Sequence, residues 1–114
     1  MIIRDDKVYL KDILESIQQI FTYLKDKTES DFSSNLLLQD AVIRRFEIIG
    51  EAVSKINVDF KNTHSEIEWG LIKDMRNKLI HDYFGVSTGT IYLTVKKDLP
   101  ALREKIEKLL SKLA

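Results

Sequence analysis

The chain has 114 residues, eighteen basic and eighteen acidic, and so carries no formal net charge at neutral pH. This argues against a protein that coats nucleic acid by bulk electrostatics, because such binding needs many phosphate contacts. The length suits one domain over residues 1–114, and the absence of cysteine excludes disulfides and thiolate chemistry. With no apolar run of a signal peptide or of a membrane span, we expect a cytoplasmic protein.

Two long helices are predicted in the first half of the chain. Apolar residues recur at three- and four-residue steps over about residues 5–27, which is typical of a helix with one buried face. A polar turn is predicted over residues 26–34. The second helix spans about residues 33–56, and its apolar stripe is Leu37, Ala41, Val42, Phe46, Ile49, Val53 and Ile56. Gly50 inside it costs about 1 kcal/mol of helix propensity against alanine, so we expect it to permit close approach of another helix.

A third helix is predicted after a polar connection over residues 57–65. Ser65 and Glu68 match a capping box at its start. The helix extends to about Tyr83, and Gly85 is its predicted stop.

Two further helices complete the predicted fold. A short one starts at Ser87 or Thr88 and extends through Lys97, although its β-branched residues also suit a strand. Asp98 caps the last helix, with Pro100 tolerated in the first turn. Four or five helices with short connections predict an all-α, up-and-down bundle.

Metal and phosphate motifs are missing from the sequence. The two histidines, His64 and His81, are far apart, and no paired histidines or acidic triad with ligand spacing occur. None of the four glycines belongs to a phosphate-binding loop. We therefore expect no metal and no cofactor. His64 is predicted to be a solvated loop residue, and Trp69 a core or interface anchor whose exposure hints at a partner surface.

The segment from Arg76 to Tyr83 carries the residues that we single out for function. Residues five apart on a helix are separated by about 140° around the axis and about 7.5 Å along it, so Arg76 and His81 lie on different stripes. Asn77 and His81, four apart, share one strip. Arg76 and Tyr83, seven apart, nearly align. Two neighbouring polar strips are therefore predicted.

These side chains suit RNA cleavage, in which the 2′-hydroxyl of the substrate is the nucleophile. Histidine as a residue type can give or take the proton, and arginine grips phosphate oxygens with its planar fork. One histidine and one arginine are few for this chemistry, so a symmetric dimer would bring a second pair to the same cleft. Judged by spacing alone, an arginine and a histidine on one helix are more often ordinary residues at the surface or at the edge of the core than a catalytic pair.

Several motifs together resemble the HepT-like family of HEPN-domain proteins, over nearly the whole chain. They are Ile67-Glu68-Trp69, the run from Met75 to Val86, Asp98-Leu99-Pro100 and the upstream run from Arg44 to Ala52. The resemblance implies an HEPN-like helical fold and a metal-independent ribonuclease. It further implies that Arg76 and His81 of the Arg-x4-His motif are the catalytic pair, in a cleft between two protomers, with Asn77 in support.

The same resemblance implies the toxin of a type VII-like toxin–antitoxin pair. The expected partner is a minimal nucleotidyltransferase antitoxin that transfers AMP from ATP to Tyr83 and silences the nuclease. A homodimer, or a larger complex with the antitoxin, is expected. An alternative stays open, in which the chain is a non-catalytic binding subunit of the nucleotidyltransferase. A purely structural bundle would leave Arg76, Asn77, His81 and Tyr83 freely replaceable.

Overall fold

The computed structural model describes residues 5–84 and 87–113, without the side chains at 82 and 84. Seven helices lie within these residues: α1 (Asp6–Leu24), α2 (Glu29–Ser33), α3 (Leu36–Lys55), α4 (Val58–Thr63), α5 (Trp69–Phe84), α6 (Thr88–Lys97) and α7 (Leu99–Leu113). The predicted all-α fold is confirmed. Over the same residues, no helix is both long and apolar enough to cross a membrane.

The core lies where α1 and α3 pack on each other, with α5 on the outer side of α3 and α7 against α1. Its fully buried members recur at three- and four-residue steps along the two long helices: Leu10, Ile13, Ile17, Ile20, Val42, Phe46 and Ile49. Each such side chain contributes about 1.5–3 kcal/mol on burial. The apolar stripes predicted for the two helices therefore hold the bundle together.

Two stretches predicted as irregular contain short helices, and those predictions were wrong. In α2, Thr28 and Asp31 form a reciprocal capping box, and Phe32 behind it is fully buried. Hydrogen bonds from Thr28 lower the pKa of the Asp31 carboxyl below its ordinary value. The backbone N–H has the larger effect and the hydroxyl the smaller one. In α4, the Asn57 side chain caps the helix by accepting the backbone N–H of Asp59.

The second long helix begins later than predicted. Asn35 caps α3 by accepting the Leu38 backbone N–H, so the first turn starts at Leu36. Leu37 is 81% exposed and does not belong to the buried stripe, because nine residues separate it from buried Phe46, which places the two side chains about 180° apart around α3. Buried Gln39 instead faces inward, where it donates to the backbone carbonyl oxygen of Phe32 at 2.9 Å.

The predicted capping box at Ser65 is wrong as well. Ser65 lies in a turn, and α5 begins four residues later at Trp69. Trp69 fixes this junction because its indole N–H donates to the carbonyl oxygens of Lys61 and His64 at 3.2 and 3.1 Å. Trp69 is only 8% exposed, so it is a core anchor and offers no exposed apolar surface to a partner.

His64 is not simply solvated, as the sequence had suggested. It is half-buried, its ring centroid lies 4.4 Å from that of Phe60, and its Nδ1 lies 3.5 Å from a carboxylate oxygen of Glu66. The histidine therefore packs on α4 and helps to shape the turn before α5.

The last two helices start and end close to the predicted positions. α6 begins after Ser87, and α7 follows directly after Asp98, which adopts a helical backbone conformation. The predicted stop at Gly85 lies outside the described residues.

Candidate functional site

α5 packs antiparallel on α3, and two polar contacts mark the two ends of that interface. Near the end of α5, the Tyr83 hydroxyl donates to the carboxylate of Asp40, close to the start of α3. Two turns earlier on α5, the Arg76 side chain crosses Gly50 in the second half of α3. Buried Leu79 lies between them on the same face. One face of α5 is thereby fixed against α3.

Gly50 allows the Arg76 side chain to lie directly on the backbone of α3. A methyl group at position 50 would lie 2.3 Å from Arg76 Nε, 2.9 Å from its Cγ and 3.1 Å from its Cδ. Real Cβ atoms essentially never approach other heavy atoms closer than 3.0 Å. The close approach of another helix that was predicted for Gly50 is confirmed, and the atoms that approach belong to Arg76.

The Nε of Arg76 is buried and has no hydrogen-bond partner among the described residues. A buried donor without a partner costs about 1–3 kcal/mol. The guanidinium has five N–H donors in a fixed fork. Because α3 covers Nε, an anion would accept hydrogen bonds from Nη1 and Nη2, the two terminal nitrogens of Arg76.

Asn77 and His81 lie on the neighbouring strip of α5, and both are exposed. Arg76 and Tyr83 are half-buried and face α3. This is the division into two strips that the helical spacing predicts. The structure brings Arg76 and Tyr83 to one face and leaves His81 with Asn77 on the other. A ligand that meets both Arg76 and His81 must therefore reach across the edge between the strips.

Asp40 contacts the candidate site and was not identified from the sequence. It is exposed, it lies 43 residues from Tyr83 in the chain, and it receives the tyrosine hydroxyl proton in a hydrogen bond. Helical periodicity reports only on neighbours within one helix. The sequence offered only an indirect signal: Asp40 lies near the start of the helix whose later residues, from Arg44 to Ala52, carry the family resemblance.

Exposed leucines lie at the same end of the α3–α5 pair as His81. Leu36 and Leu37 are 66% and 81% exposed in the first turn of α3. The Asp40–Tyr83 bond places this turn beside the end of α5. An apolar patch next to polar site residues is typical of an interaction surface.

A groove of about 380 Å³ lies at the opposite end of α5. Its lining is Glu68, Leu71, Ile72, Met75, Lys97, Asp98, Ala101, Leu102 and Lys105. Asn77, His81 and Tyr83 are not part of this groove. The concave surface and the polar segment are therefore separate features of the molecule.

The all-helical fold and the Arg-x4-His-x-Tyr segment on α5 define an HEPN-like domain. The family follows from comparison with known proteins, since the family described as "Ribonuclease HepT-like" matches residues 13–109. The chain belongs to this HepT-like ribonuclease family.

Named relatives agree with this membership. The chain is 47% identical over 106 residues to the "Probable ribonuclease HepT" of Thermococcus cleftensis, which covers 93% of this chain and 96% of the relative. It is 49% identical over 110 residues to the "Gamma-glutamylcyclotransferase and putative RNase MJ0434" of Methanocaldococcus jannaschii, covering 96% of this chain but spanning only half of that longer relative. It is 39% identical over 104 residues to "Putative RNase MJ1380" of the same organism, with 91% and 95% covered. No solved structure matches the chain.

Proposed function

We propose that this protein is a metal-independent ribonuclease that cleaves RNA with Arg76 and His81. The observation that carries the proposal is the pinned Arg76: its aliphatic part lies on Gly50 and its Nε is buried without a partner among the described residues. Exposed His81 lies five residues further along the same helix. In a HepT-like chain, an arginine held at this energetic cost is better explained by an anionic substrate than by packing.

The chemistry needs only groups that the chain and the RNA supply. The 2′-hydroxyl oxygen attacks the neighbouring phosphorus, a bond to that oxygen forms, and the bond from phosphorus to the 5′-oxygen breaks. His81 takes the proton of the 2′-hydroxyl or gives a proton to the departing 5′-oxygen, and the other transfer falls to the second His81 of the dimer proposed below. The terminal nitrogens of Arg76 donate to the phosphoryl oxygens, where negative charge develops. Asn77, one turn before His81, orients the imidazole or the substrate.

Two substitutions test this proposal directly. Arg76→Ala and His81→Ala are each expected to lower the rate of RNA cleavage by a factor of at least about 10², with an unchanged circular dichroism spectrum. His64→Ala is the matched control, because it removes the other histidine of the chain, which lies outside α5 and packs on Phe60. Cleavage that survives both site substitutions would refute the proposal. A wild type that binds RNA or a partner without cleaving would favour the non-catalytic binding subunit.

We further propose that the working site contains two copies of the chain. One copy offers a single His81 as a proton carrier, and a two-fold dimer brings a second one to the same substrate. The exposed pair Leu36 and Leu37 supports this, because it supplies apolar surface at the His81 end of α5.

A charge placed in this patch tests the dimer. Leu37→Glu is expected to shift the sedimentation equilibrium towards the monomer and to lower RNA cleavage with it. Val58→Glu is the control, because Val58 is also exposed, at 66%, but lies in α4. A Leu37→Glu chain that stays dimeric and active would exclude this face as the interface.

The proposed physiological role is that of a toxin that a nucleotidyltransferase antitoxin silences by attaching AMP to Tyr83. Tyr83 and Arg76 face α3 together, so phosphate added at Tyr83 lies on the arginine strip and competes with RNA for Arg76. Co-expression with a minimal nucleotidyltransferase from the same genome is expected to add the mass of AMP to the wild type and not to Tyr83→Phe. An unmodified wild type, or modification of Tyr83→Phe, would refute this role.

A further inference from the structure

We propose that Asp40 is the proton acceptor that prepares the Tyr83 hydroxyl for nucleotide transfer; this rests on the proposed modification of Tyr83. The transferase would then find an acceptor whose activating base is already in place on the neighbouring helix of the same chain.

The geometry places the carboxylate on the reacting atom. The Tyr83 hydroxyl, which must become the nucleophile, donates its proton directly to Asp40 Oδ1. Asp40 is exposed and forms no ion pair with any described residue. Tyr83 is half-buried, since its ring packs against the core while its hydroxyl reaches the exposed side of α3. The hydroxyl is thus held in one place and remains open to an incoming enzyme.

The proposed step balances with ATP as the only co-substrate. The Tyr83 oxygen attacks the α-phosphorus of ATP and forms a phosphodiester bond. The bond between the α- and β-phosphates breaks, and pyrophosphate leaves. The phenolic proton passes to the Asp40 carboxylate and from there to solvent. General-base assistance of this kind contributes about 10²–10⁴ in rate.

A cation beside Asp40 suits an anionic donor. Arg44 lies one turn further along α3, so its Cβ lies about 5–6 Å from that of Asp40. It is exposed and forms no ion pair with a described residue. Its guanidinium can therefore meet the phosphates of ATP and offset their repulsion by the Asp40 carboxylate.

The same contact gives the modification a structural consequence. Once AMP is attached, Tyr83 has no proton to donate, and the new phosphodiester carries a negative charge beside Asp40. A hydrogen bond that ties the end of α5 to the start of α3 is replaced by repulsion between like charges. Tyr83 and its nucleotide are thereby driven away from Asp40, along the strip that contains Arg76.

The test measures transfer of label from α-³²P-ATP to the purified chain, with Mg²⁺ and a minimal nucleotidyltransferase from the same genome. Asp40→Asn keeps a hydrogen-bond acceptor of the same shape but cannot take the proton. It is expected to lower the maximal rate of labelling by a factor of at least about 10². Asp40→Glu is expected to recover part of that rate, because it restores a carboxylate. A merely structural role of Asp40 would not give this difference between Asn and Glu.

Asp74→Asn is the matched control. Asp74 is an exposed aspartate on α5 that makes no hydrogen bond or ion pair with the described residues, and its variant is expected to label at the wild-type rate. Labelling of Asp40→Asn at the wild-type rate would overturn the role of Asp40 and leave the modification standing. A wild type that takes no label would instead refute the modification itself, and the role of Asp40 with it.

Discussion

Gly50→Ala is the substitution that most sharply probes how the fold places Arg76, the proposed catalytic arginine. The new methyl group would lie 2.3 Å from Arg76 Nε and 2.9 Å from its Cγ. Ordinary van der Waals contact begins at 3.4 Å, so Nε must move by about 1.1 Å (3.4 minus 2.3). The new Cβ at position 50 is attached to a helix backbone, so the Arg76 side chain must yield.

The effect on stability is expected to be small. Alanine gains about 1 kcal/mol of helix propensity over glycine, and overpacking typically costs about 1–3 kcal/mol. The free energy of unfolding should therefore fall by no more than about 2 kcal/mol. The effect on catalysis is expected to be larger, because displacing a catalytic group by about 1 Å can cost about 10² in rate.

RNA cleavage and urea denaturation of the same preparations separate these two effects. Gly70→Ala is the control, because a methyl group at Gly70 in α5 meets nothing within 4 Å. It should cleave at the wild-type rate. Full cleavage by the Gly50→Ala chain would show that the contact with Gly50 does not position Arg76 for cleavage, as would an equal loss in both variants.

Further predictions concern stability, measured by urea denaturation. Phe46→Ala should cost about 3–5 kcal/mol, because Phe46 is fully buried, whereas Leu37→Ala should change the free energy of unfolding by less than about 0.5 kcal/mol, since Leu37 is 81% exposed. Trp69→Phe should cost about 1 kcal/mol, because it removes the indole donor. Thr28→Ala should cost about 1 kcal/mol at neutral pH. Because the pKa of Asp31 is lowered in the folded state, its carboxylate contributes stability above the ordinary aspartate range and loses it as pH falls through the lowered pKa. The difference in free energy of unfolding between the wild type and Thr28→Ala should therefore become smaller in acid. A difference that does not depend on pH would contradict this prediction.

Helical periodicity predicted the long helices and the two strips of α5 because both depend on neighbours within one helix. Asn77 with His81, and Arg76 with Tyr83, follow from spacing alone. The close approach at Gly50 also followed, since a glycine inside a long helix costs stability and needs a compensating contact.

The errors arose where tertiary contacts override local patterns. Ser65 matches a capping box, yet the helix starts at Trp69, because the indole bonds to two backbone carbonyls fix that junction. Asp40 was missed for the same reason, since its partner lies on another helix.

The identity of the cleaved ends shows whether the 2′-hydroxyl of the RNA and His81 carry out the cleavage. An RNA oligonucleotide is incubated in EDTA with wild type or His81→Ala, and the products are weighed by mass spectrometry. We predict 2′,3′-cyclic phosphate ends from the wild type, none from His81→Ala, and no cut at a position whose nucleotide is 2′-deoxy. Cleavage that needs a divalent metal, proceeds at the 2′-deoxy position or survives the loss of His81 would contradict the proposed mechanism.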